Sequence, residues 1–64
     1  MSKYQFFFGD GQYKTPPIDI DTPAYARELT FVLATLFKTN CQCFYVNDKG
    51  IRSFFFECLI DEND

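Results

Sequence analysis

Cys41, Cys43 and Cys58 are the residues whose type and spacing come nearest to chemistry in this chain. In an extended segment, Cys41-x-Cys43 sets two thiols on one face of a strand. A structural zinc site takes four ligands, normally two such pairs or added histidines, and the chain has no histidine. That absence also removes the commonest general base. A catalytic thiol needs an activating neighbour, and none is visible here. A bridge between Cys41 and Cys43 would strain the strand. The expectation is three free thiols acting as small apolar groups, as in a reducing compartment. Asp19 and Asp21 lack the further ligands and glycine of a calcium loop, so helix capping and solvation account for them. Gly9-Asp10-Gly11 is too short for a phosphate loop and has no following lysine. The chain therefore reads as non-enzymatic, without metal or cofactor.

What remains is aromatic surface. Of 64 residues, 47% are hydrophobic and 20% aromatic, including nine Phe and four Tyr. Such a chain is not disordered, because disorder needs low hydrophobicity and high net charge, and the formal charge is only −3. It makes one domain, residues 1–64 with an acidic tail at 61–64, and a chain this short buries only about 60% of its unfolded surface. Phe6-Phe7-Phe8 and Phe54-Phe55-Phe56 break the alternation expected of a strand with one wet face. The first eleven residues carry no signal-peptide core, which needs about 7–15 apolar residues. No segment approaches the roughly 20 apolar residues of a membrane span. The expected location is the cytoplasm of a host cell.

The elements that must hold these residues follow from local signals. Residues 3–8 read as a strand closed by Gly9-Asp10-Gly11. Residues 12–15 start a second strand, which Pro16-Pro17 confines to an edge, and 18–21 prolong that edge. Residues 22–40 are the helix: Thr22 caps it, Pro23 takes the first helical position, and Asn40 stops it in a left-handed conformation. At about 100° per residue, Tyr25, Leu29, Val32, Leu33 and Leu36 form one stripe, flanked by Ala26 and Phe37, while Phe31 falls outside it. Residues 41–46 and 51–60 form a hairpin across Asp48-Lys49-Gly50, a turn with a left-handed glycine. That loop pairs Asn47 with Ile51, Tyr45 with Ser53, Phe44 with Phe54 and Cys43 with Phe55. One face then carries Phe44, Val46, Phe54, Phe56, Cys58 and Ile60 and is expected to meet the helix. The other carries Cys41, Cys43, Tyr45, Ile51, Ser53, Phe55, Glu57 and Leu59 and is left uncovered. The fold class is α+β, a mostly antiparallel three- to four-stranded sheet with one helix packed on one face, in the order β-(β)-α-β-β. The final strand, as the longest and most apolar, is expected at the centre.

An uncovered aromatic face points to a partner. Tyr45 and Phe55 are the expected contacts, with Phe31 from the helix's outer side and Glu57, Asp61 and Glu62 as an acidic rim. Aromatic faces also stack bases, but the folds that do so add basic groups for phosphates. Here six basic residues face nine acidic ones, which argues against direct nucleic-acid binding. Asp19, Asp21, Glu57, Asp61, Glu62 and Asp64 suggest imitation of nucleic acid instead. In size, acidity, lack of catalytic groups and surplus aromatic surface, the chain is similar as a class to the small acidic inhibitors encoded by phages and mobile elements, of the anti-CRISPR and anti-restriction type. That resemblance implies a non-enzymatic inhibitor that binds a host nucleic-acid enzyme, such as a CRISPR-Cas or restriction nuclease. The alternative is a structural or regulatory homo-oligomer, a homodimer in the simplest case, pairing through its sheet face.

Overall fold

A computed structural model describes residues 2–60 of the chain. The elements run β1 (Ser2–Phe8), β2 (Tyr13–Lys14), β3 (Ile18–Ile20), α1 (Pro23–Phe37), β4 (Cys41–Val46) and β5 (Arg52–Cys58). All strand neighbours are antiparallel. β1 and β4 are central, β5 forms one edge, and the short β2 and β3 share the other along β1. The α+β expectation holds, with one helix packed on an open antiparallel sheet of five strands. Pro16-Pro17 lies between the two edge strands, as expected of residues that cannot donate to a ladder. The final strand is not central: β5 is an edge, because β1 returns to pair with β4.

Local chemistry explains the helix ends. Thr22 Oγ1 accepts from the Tyr25 N–H at 3.2 Å, and Pro23 opens the first turn. The stop comes earlier than Asn40. Lys38 takes the left-handed conformation, φ 53°, and its N–H donates to the Ala34 carbonyl. Asn40 instead accepts from the Ile60 N–H at 2.8 Å and ties the chain after β5 to the entry of β4. No described helix is long and apolar enough to cross a membrane.

The helix phase differs from the stripe read in the sequence. Ala26, Thr30 and Ala34 are buried, Leu29 and Leu33 are half-buried, and Tyr25, Val32 and Leu36 face solvent. The reason is volume. The sheet offers Tyr4, Phe6 and Phe8 to the helix, and small helical side chains let the backbones approach to interior packing density over such large rings. Thr30 enters the core without an orphaned hydroxyl, since its Oγ1 donates to the Ala26 carbonyl at 2.8 Å.

The two phenylalanine runs are accommodated differently. In β1 simple alternation sends Phe6 and Phe8 to the helix side and Phe7 to the open side. In β5 a bulge intervenes, for Phe44 pairs Phe54 while Cys43 pairs Phe56. Phe55 is the extra residue. Two residues opposite one turn the same way, so Phe55 and Phe56 both pack against the core and Phe54 points out.

The hairpin loop is as read. The Asn47 N–H donates to the Ile51 carbonyl at 3.0 Å, the Gly50 N–H donates to the Asn47 carbonyl at 2.9 Å, and Gly50 has φ 80°. Tyr45–Ser53 and Phe44–Phe54 pair, but the bulge replaces Cys43–Phe55 with Cys43–Phe56.

Candidate binding face

The expected assignment of faces is reversed along β4 and divided along β5. Cys41 and Cys43 are fully buried beneath α1, whereas Phe44 and Phe54 lie on the face without a helix. Gln42 is the signal that was available. A glutamine between two strand residues of the opposite parity marks their neighbour face as wet, because burying its amide unpaired is costly.

On that open face three rings meet. Phe7 of β1 lies edge to face with Phe44 of β4, centroids 5.3 Å apart at 83°. Phe44 in turn meets Phe54 of β5 at 5.8 Å and 83°. Both geometries suit the ring quadrupoles. Arg52 lays its guanidinium 5.3 Å from the Phe7 centroid, a cation–π distance, and its Nη1 donates a long 3.5 Å bond to Gln5 Oε1. Gln5 is itself fixed by donating from Nε2 to the Thr15 carbonyl at 2.8 Å. Gln42 donates to Glu57 Oε2 at 2.8 Å. Phe7, Phe44, Gln42, Arg52, Asp10 and Gly11 enclose a shallow concavity of about 730 Å³. By register Lys3 and Lys14 join Arg52 on this side, and Asp10, Asp19 and Glu57 balance them. Lys3 and Asp19 form an exposed ion pair at 3.1 Å.

The expected contact residues are scattered over the molecule. Tyr45 and Phe55 do come together, both around Tyr4, at centroid distances of 5.8 and 5.2 Å. They stand on the helix side, where Phe55 is half-buried in the core and Tyr45 is 39% exposed. Glu57 lies on the opposite side of the sheet, beside Gln42. Phe31 is exposed on α1. Asp61, Glu62 and Asp64 lie outside the described residues.

A second hollow, of about 320 Å³, opens where the helix ends over the sheet. Its walls include a stack of three rings. Phe8 lies between Tyr13 at 5.8 Å and Phe37 at 5.0 Å, nearly parallel to both. Gly9, with φ 67°, gives the Tyr13 ring its room.

The thiols share one side of the sheet, which corrects the expectation that Cys58 points away from the other two. Cys58 pairs directly with Cys41 and packs against the core. All three are free. Burial pushes the Cys41 thiol up to about 11, with the proximity of Cys43 and Cys58 adding to it. Burial also raises Cys43, partly offset by the neighbouring Thr30 hydroxyl. Thiols so shifted stay protonated and unreactive near neutral pH. Among the described residues no group of three or more His, Cys, Asp or Glu side chains is placed to hold a metal ion.

The chain matches no known protein-family model, no curated protein and no solved structure.

Proposed function

We propose that this chain is a non-enzymatic binding protein that docks on another protein through the open face around Phe7, Phe44 and Phe54. The observation that carries the reading is the edge-to-face trio on a sheet face that no described element covers. Rings held by one another lose little freedom on binding, which favours them as anchors. Around them stand Lys3, Asp10, Arg52 and Glu57, the polar rim that surrounds an aromatic centre in protein interfaces.

The partner proposed is a host nucleic-acid enzyme, such as a CRISPR-Cas or restriction nuclease, inhibited in the host cytoplasm by a phage- or mobile-element-encoded chain. Net charge −3 and a pI near 4.6 support it, because an acidic chain is steered toward the basic groove that such enzymes present. The balanced charges of the face argue against phosphate contacts of its own.

The test is a cleavage reaction with purified nuclease and increasing amounts of the chain. Near-stoichiometric loss of cleavage is expected. Phe54→Ala and Phe44→Ala should each weaken inhibition by roughly 30-fold or more, the level of an interface hot spot, with melting temperatures close to the parent. Inhibition should also weaken as salt rises. If both truncations inhibit as well as the parent, the face is wrongly assigned. If no nuclease of either class responds, the partner is wrong.

A further inference from the structure

The two edges of the sheet are unlike. One is split between β2 and β3, both very short, with Pro16-Pro17 between them, and such an edge cannot template another strand. The other is β5, seven residues with neither proline nor lysine, and no described strand pairs with its outer side. Its one irregularity is the bulge at Phe55.

That bulge sets which groups point outward. The Asn47–Ile51 bond turns Ile51 toward β4, and alternation then turns Ser53 inward and Arg52 and Phe54 outward. Beyond the bulge Phe56 and Cys58 oppose Cys43 and Cys41, which leaves Glu57 outward. The outward backbone groups thus belong to Arg52, Phe54 and Glu57, and the last interval is one residue too long for a regular strand. An ordinary edge strand fails to match it. A second copy of β5, running antiparallel, carries the same long interval.

The geometry points to a homodimer in which two β5 edges pair antiparallel about a two-fold axis between Phe55 and Phe56. Phe54 of each copy stands opposite Glu57 of the other, and the two bulges face each other across the axis. This register also keeps the faces in step. Arg52, Phe54 and Glu57 remain on the open side, and Ser53, Phe55, Phe56 and Cys58 on the helix side. Charge agrees with the direction. Antiparallel pairing brings Arg52 of one copy within diagonal reach of Glu57 of the other, whereas parallel pairing sets Arg52 beside Arg52.

The helix adds a contact. α1 carries the chain from β3 to β4, which run parallel on either side of β1, and such a crossover is right-handed. Phe31, about 100° past the buried Thr30, therefore overhangs the β5 side, and it is 60% exposed. Across the two-fold axis its partner is the second Phe31.

Sedimentation equilibrium over a concentration series tests the pairing, with circular dichroism to confirm the fold. The parent should approach twice its 7.5 kDa mass. Phe54→Pro removes an outward N–H that β4 does not use and should leave a folded monomer. Arg52→Glu and Glu57→Arg each turn both cross-axis attractions into repulsions and should weaken the dimer roughly tenfold. Mixing those two single variants should restore it as a heterodimer, since each mixed contact is again opposite in sign. A parent that stays monomeric throughout overturns the proposal. So does a dimer that ignores both charge reversals, which decide the matter even if Phe54→Pro does not fold.

Discussion

A Cβ added to Gly9 would lie 2.8 Å from Cδ2 of Tyr13, and the backbone there has φ 67°. Gly11, at φ 85°, has nothing within 4 Å of the same built atom. Both positions disfavour side chains by roughly 1–2 kcal/mol through backbone conformation alone, but only Gly9→Ala also displaces the ring stacked on Phe8. Thermal melts should therefore rank Gly9→Ala below Gly11→Ala; equal melts would mean that the Tyr13 ring moves aside freely. Cys41 offers a second test at this scale. Its thiol rises from an ordinary 9.0 to about 11 through burial and the neighbouring thiols. The folded state holds that proton more tightly than the unfolded one, so the stabilisation is complete below pH about 9 and is lost as pH rises toward about 11. Denaturant midpoints should fall across that window, and Cys41→Ser should flatten the fall.

At the scale of the element, the helix and β5 each place large apolar groups where local pattern does not predict them. The stripe of Tyr25, Val32 and Leu36 is amphipathic in sequence yet faces water, with Leu36 68% exposed. Truncating it removes little buried surface, so Leu36→Ala should change stability by no more than about 0.5 kcal/mol, as at other exposed sites. Ala34→Leu should cost about 1–3 kcal/mol, because extra methylenes would force α1 away from the sheet. Urea titrations of the two variants separate the phases. If Leu36→Ala is the more damaging, the helix is turned the other way.

For the molecule as a whole the core is small and is built around two aromatic rings, Tyr4 and Phe6. Phe6 is fully buried at its centre, among Tyr4, Ile20, Ala26, Ala34, Cys41 and Cys43. A single core of this size rarely supplies more than about 3–5 kcal/mol, and Phe→Ala in a core costs about the same. Phe6→Ala should leave the chain largely unfolded at 25 °C by circular dichroism. Phe44→Ala, on the open face, should leave it folded. That contrast separates the side that stabilises the molecule from the open side proposed for docking. The dimer proposed at the β5 edge should make the melting temperature rise with protein concentration in a dilution series.

Much of the fold was legible because its signals are local. Thr22-Pro23 opens a helix wherever it occurs ahead of an apolar pattern, and Asp48-Lys49-Gly50 closes a hairpin through the one glycine that accepts its positive φ. Pro16-Pro17 names an edge because it lacks donors. The α+β class and the strand order in sequence follow from these few residues. The candidate face was not legible, since alternation assigns faces only when one of them is polar. With Phe6-Phe7-Phe8 and Phe54-Phe55-Phe56 both phases of the strand are apolar, and one bulge at Phe55, opposite the Cys43–Phe44 step, exchanges the sides of the β5 residues that follow. Likewise α1 has apolar residues on most of its circumference, so periodicity alone does not choose its buried side. Volume chooses it. Only the assembled sheet, with Tyr4, Phe6 and Phe8 turned toward the helix, requires Ala26, Thr30 and Ala34 beneath it and leaves Phe7, Phe44 and Phe54 outside.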